Sequence, residues 1–98
     1  MGTKMRRAKA NVFQDLGFDP KEYENLRVRA DLMIELSKLI EMKEWTQEEA
    51  AEIMGVSQPR ISDLVRGKID RFSIDSLISM LGSAGIRVRV TTTLKGVA

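Results

Sequence analysis

Residues 46–67 read TQEEAAEIMGVSQPRISDLVRG, and the spacing within them decides the fold. Thr46 can cap a helix with its hydroxyl, and Glu49 three residues later completes a capping box. Ala50, Ala51 and Met54 follow as an apolar stripe at helical spacing, and Gly55 stops the helix where a left-handed residue is wanted. Val56 plugs the turn. Ser57 stands where a second helix needs its cap, and Pro59 is tolerated in that helix's first turn. Ile61, Leu64 and Val65 supply the next apolar stripe before Gly67 ends it. Ala51 has a steric role, because two short helices crossing at a steep angle approach closely only over a small side chain. The outer face of the second helix is then Gln58, Pro59, Arg60, Ser62, Asp63 and Arg66, a set able to hydrogen-bond base edges and phosphates. Two amphipathic helices with a tight turn could equally serve only as a helical core. Each signal is weak alone, and what favours the first reading is that all fall at the right offsets.

Working outward, Tyr23 to Glu44 reads as one long helix. Leu26, Leu32, Met33, Leu36, Leu39 and Ile40 recur at three and four, and neither Gly nor Pro interrupts after Lys21. Trp45 precedes the Thr46 cap, where a large apolar residue can staple the next helix against Ala50. Beyond Gly67, Lys68-Ile69-Asp70-Arg71 forms a short loop or turn. Phe72 and Leu77 bracket Ser73 at the spacing of a hydrophobic staple around a serine cap. Ile74, Leu77, Ile78 and Leu81 make the stripe of a last helix ending by Gly85.

The period then changes. Ile86, Val88, Val90, Thr92 and Leu94 alternate with Arg87, Arg89, Thr91 and Thr93, and β-branched residues dominate. This alternation predicts a strand, the only one in the chain. A lone strand cannot satisfy its backbone within its own molecule, so pairing with a second copy is expected, with Ile86, Val88, Val90, Thr92 and Leu94 as the dimer interface. A frayed tail with strand-like composition is the plainer alternative.

The front of the chain is different again. Residues 1–11 are polar and basic without periodicity. Val12, Phe13, Leu16 and Phe18 suit one helical turn before a bend at Gly17-Phe18-Asp19-Pro20. Phe13 and Phe18 can be core or an exposed patch for a partner, and the sequence leaves both open. The resulting organisation is a tail and short apolar segment over 1–20, a helical domain over 21–85, and a dimerisation strand and tail over 86–98.

The net charge of +2 hides a strong division. Residues 1–11 carry Lys4, Arg6, Arg7 and Lys9 and no acid. Residues 12–56 carry eleven acids against five bases, and residues 57–98 carry seven bases against three acids. A basic half joined to an acidic one suits a protein with one face toward phosphate and another toward a basic partner. Acids that merely solvate the long helix are the alternative.

Composition bounds the chemistry. With no cysteine and no histidine among 98 residues, disulfides, thiolate metal sites and the commonest general base are excluded. No apolar run approaches the ~20 residues of a membrane span, and Met1 to Lys9 lacks the apolar core of a signal peptide. Clustered acids such as Glu48-Glu49-Glu52 belong on a charged helix surface more readily than in a catalytic dyad, and no Gly-rich phosphate loop or metal spacing occurs. No enzyme activity and no cofactor are expected.

The 46–67 segment resembles the phage repressor/Cro-like helix-turn-helix, or XRE family, in Thr46-Gln47, Ala51, Gly55-Val56-Ser57-Gln58, Ile61 and Leu64. NVFQDLGF at 11–18, SQPRISDLVRGKID at 57–70 and FSIDSLISML at 72–81 look like small bacterial XRE proteins related to HigA-type antitoxins. The resemblance implies an all-α, five-helix lambda-repressor-like DNA-binding domain, to which the residues above add the C-terminal strand. It further implies a cytoplasmic bacterial autorepressor, often paired with a RelE-like ribonuclease toxin. In the family the residue matching Gln47 anchors phosphate, and the same role is expected here. Ser57, Gln58, Pro59, Arg60, Ser62 and Asp63 would enter the major groove, with Arg66, Lys68 and Arg71 as flanking phosphate contacts. Gln58 can pair with adenine, Arg60 with guanine or phosphate, and the Pro59 ring can touch a thymine methyl. Asp63 is an odd member, since it must accept from cytosine or orient Arg60 to be tolerated. A dimer would set two such helices roughly 34 Å apart on an inverted repeat. The competing expectation is a protein-interaction module that neutralises a toxin by contact, with little or no DNA binding.

Overall fold

The computed structural model describes residues 19–94. Helix α1 spans Pro20–Lys43. Asp19 caps it by accepting from the Glu22 N–H at 2.8 Å, and Pro20 fills the first position, where a missing N–H costs nothing. Met33, Leu36, Leu39 and Ile40 form its buried stripe. Glu44 ends the helix in the left-handed region at φ 56°, and the next N–H, of Trp45, donates back to the Ile40 carbonyl at 3.1 Å. On the outer face Arg27 bridges Glu24 at 3.0 Å and Asp31 at 3.4 Å, and its guanidinium pKa is raised, chiefly by the Glu24 hydrogen bond.

Helix α2 spans Gln47–Met54, helix α3 spans Gln58–Val65, and a 3-10 turn covers Ile69–Arg71. Helix α4 spans Ile74–Ser83 and opens with a capping box in which Ser73 and Ser76 exchange bonds of 3.1 Å. α4 packs on α1 and α2, while α3 packs on α2 and α1. The centre of the core is Leu36, Ile61, Leu64, Leu77 and Met80, drawn from three helices. Ala50 and Ala51 are buried where α2 meets α3 and α4, so small residues stand at the closest approach. Each large side chain buried this way stabilises the fold by about 1.5–3 kcal/mol relative to exposure.

Several stripe assignments shift. Met80 takes the buried place expected of Ile78, which is 40% exposed, and Val65 is 44% exposed at the last position of α3. Leu32 and Trp45 are half-buried against the core. A short helix seats only about one residue per turn fully, and its flanking positions face outward.

A clamp crosses the core's edge. Arg29 of α1 donates to the carbonyls of Ile69 at 3.1 Å and Phe72 at 3.3 Å, and its Nε to Asn25 at 2.7 Å. The 3-10 turn is thereby tied to α1 through two of its backbone acceptors, one of which, the Ile69 carbonyl, also accepts from the Phe72 N–H at 3.3 Å.

Among the described residues there are four α-helices, one 3-10 turn and no strand. The fifth helix and the C-terminal strand that were expected are not found among these residues. The turn expected at 12–18, with Phe13 and Phe18, lies outside the described residues. After Gly85, at φ 83°, the Ile86 N–H donates to the Leu81 carbonyl at 2.9 Å and residues 86–94 form no ladder. A ladder needs a second strand, and the described residues offer no other candidate.

Candidate DNA-binding face

The turn between α2 and α3 is built by local bonds. Thr46 and Glu49 form the capping box, with the Thr46 N–H reaching Glu49 at 2.8 Å and the Glu49 N–H reaching Thr46 at 3.1 Å. Gly55 takes φ 69°, which lets the Val56 N–H return to the Ala51 carbonyl at 2.9 Å. Gln47 is exposed at the first position of α2, where N–H groups have no intrahelical acceptor and the helix dipole favours an anion.

The start of α3 departs from the expected cap. Ser57 occupies the N-cap position, yet its hydroxyl makes no capping bond. Pro59 removes one N–H that could reach it, and the next, of Arg60, donates to the Ser57 carbonyl at 3.1 Å. The Ser57 hydroxyl and the Gln58 side chain therefore stand exposed at the helix N-terminus. Pro59 and Arg66 are exposed on the same outer surface, and Ser62 is half-buried between them. Gly67, at φ 74°, closes α3 with bonds from its own N–H to Leu64 and from Lys68 to Asp63, both 3.0 Å.

Arg60, Asp63 and Arg71 form a separate cluster on the flank of α3. The Arg60 guanidinium lies 4.3 Å from the Phe72 ring centroid and donates to the Arg71 carbonyl. Arg71 in turn pairs with Asp63, one guanidinium nitrogen reaching both carboxylate oxygens at 3.1 and 3.2 Å. Asp63 thus orients Arg71 rather than Arg60. Lys68, half-buried, lies in the same connection. Gln47, Ser57, Gln58, Pro59, Ser62 and Arg66 remain outward, while Arg60, Asp63 and Arg71 are engaged within the chain.

Arg29 is a residue whose role the sequence pattern does not disclose. Arg29 lies four residues before Met33 and seven before Leu36, on the apolar stripe itself. A cation on such a stripe signals a partner, here two carbonyls some forty residues away. Among the described residues no cluster of potential ligands could hold a metal ion.

A family model described as a helix-turn-helix domain matches residues 12–92, so the chain belongs to that family. It is a helix-turn-helix DNA-binding protein. No curated protein matches the chain. No described helix is long and apolar enough to cross a membrane.

The expected dimer residues follow α4. Val88 packs back on the core, whereas Ile86 is 40%, Val90 77% and Leu94 78% exposed, and Thr92 is exposed too. Ile86 shares an open groove with Glu35, Lys38, Leu39, Glu41 and Met42.

Proposed function

We propose that this chain is a sequence-specific transcriptional regulator, an autorepressor that binds an inverted-repeat operator as a homodimer and serves as the antitoxin of a toxin–antitoxin pair. It is a binding protein and not an enzyme. The observation that carries the reading is the outer face of α3, where Gln58, Pro59 and Arg66 are exposed beside the uncommitted Ser57 hydroxyl. Such a face offers an amide for adenine, a ring for a thymine methyl and a guanidinium for phosphate. Gln47 at the start of α2 supplies an anchor on the neighbouring backbone.

Dimerisation through residues 86–94 is supported by their alternation and by the exposure of Val90 and Leu94. Two antiparallel copies would satisfy each other's backbone groups and set the α3 helices in successive grooves. The antitoxin role rests on the HigA-type resemblance and on the acids of residues 12–56. A RelE-like ribonuclease must be cationic to hold RNA, and the exposed Glu35 and Glu41 would steer and cover it. Those same acids favour the second reading, a module that neutralises a toxin by contact with little DNA binding.

Selection of duplexes from a randomised pool separates the two readings. The operator reading expects enrichment of an inverted repeat with half-sites about one helical turn apart, bound roughly 10³-fold or more tighter than random sequence. A pool that yields no enriched sequence at low salt contradicts it and favours the contact module.

A further inference from the structure

We propose that the Asp63–Arg71 pair is a specificity device, which withholds Arg71 from the phosphates of random DNA and releases it only at a site that offers Asp63 a donor. The proposal rests on the DNA-binding reading above. It begins from an oddity of α3: its only carboxylate lies on the helix that must approach a polyanion. Asp63 holds Arg71 through both oxygens, at 3.1 and 3.2 Å, and is itself largely shielded, its side chain 21% exposed against 53% for Arg71. The pair is electrically neutral, so Arg71 adds little to the counterion release that drives non-specific binding.

The geometry around the pair keeps it in place. Arg60 donates to the carbonyl of Arg71 and stacks on Phe72, while Arg29 holds the carbonyls on either side, those of Ile69 and Phe72. Backbone and side chain of Arg71 are therefore both fastened to α3, the first by Arg60 and the second by Asp63. Arg60 acts here as a positioning residue. At a base pair presenting the cytosine amino group, the carboxylate can accept from the base instead, and Arg71, 53% exposed, turns to a phosphate. Where neither a cytosine nor an adenine amino group lies within reach of the carboxylate, the exchange has no donor to complete it, and Arg71 stays with Asp63.

The test measures affinity for a random duplex against salt, for the full chain and for Asp63→Asn, Arg71→Ala and the double variant. Asparagine keeps the shape and removes the charge. Asp63→Asn is expected to bind random duplex about three- to tenfold more tightly at moderate salt, with a slope of log K against log salt steeper by about one. The same substitution in the Arg71→Ala background is expected to leave the slope unchanged, a coupling that mere loss of fold would not produce. On a selected operator, Asp63→Asn is expected to narrow the ratio of specific to random affinity by at least the same factor. An unchanged slope in Asp63→Asn overturns the proposal, as does an equal steepening in both backgrounds, which would signify general carboxylate repulsion. Wild-type protein that binds no duplex even at low salt overturns the DNA reading itself, and that outcome is distinct from the other two.

Discussion

The segments 46–67 and 86–94 carry comparably regular patterns, one of period 3.6 and one of period 2, yet only the first closes into structure within one chain. The difference lies in where the hydrogen bonds go. A helix satisfies each N–H four residues back, and its ends are closed by neighbours such as Thr46, Glu49 and Gly55. A strand's donors and acceptors point sideways, and nothing local can answer them. Regular pattern is therefore sufficient for a helix and only a request in a strand.

Two truncations break the comparison most forcefully. Leu77→Ala empties a fully buried site at the meeting of α4 with α1 and α2, and should cost about 2–5 kcal/mol in denaturant unfolding. Deletion of the chain after Gly85 removes the modest contact of Val88 and the bond from the Ile86 N–H to the Leu81 carbonyl, and none of the fully buried core, so the helices should stay folded. Its large effect should fall on assembly instead: sedimentation should show monomer, and operator affinity should drop by about 10² or more as the linked second half-site is lost. A deleted chain that still dimerises at tens of micromolar counts against the strand as interface.

Smaller changes sharpen the comparison inside the motif. Thr46→Ala removes the hydroxyl that accepts from the Glu49 N–H, while the bond from its own backbone N–H to Glu49 can remain, and should destabilise by about 1 kcal/mol. Ser57→Ala, at the matching position of α3, should change stability by less than about 0.5 kcal/mol, since no capping bond is lost. Thermal melts of the two variants decide this, and equal losses would contradict the uncapped start of α3. Ser57→Ala should then act on DNA affinity alone.

These contrasts also mark how much was legible in the sequence. Thr46, Glu49, Gly55, Gly67 and Ser73 act within a few residues of themselves, and α2, the end of α3 and the start of α4 fall where they direct. The failures are non-local or competitive. Ser57 was expected to cap α3, but Pro59 withdrew a donor and the backbone took the other. Arg60 stacks on Phe72 and donates to the Arg71 carbonyl, eleven residues on, partners that its place in α3 does not reveal. Asp63 looked out of place for the reason that its partner, Arg71, lies beyond the turn. Exposure of Ile78 depended on which side of α4 meets α1 and α2, a matter of packing that a short apolar stripe leaves undetermined.

The most direct test of α3 as the reading helix is a titration of the selected operator and of random duplex with wild-type chain and Gln58→Ala. Gln58 is exposed, makes no contact that supports the core, and stands at the end of α3 where base edges would be met. The expected result is a loss of about 1–3 kcal/mol on the operator, relaxed preference at one base position, and unchanged affinity for random duplex. Equal operator affinity for the two proteins would contradict the assignment of α3 to the groove.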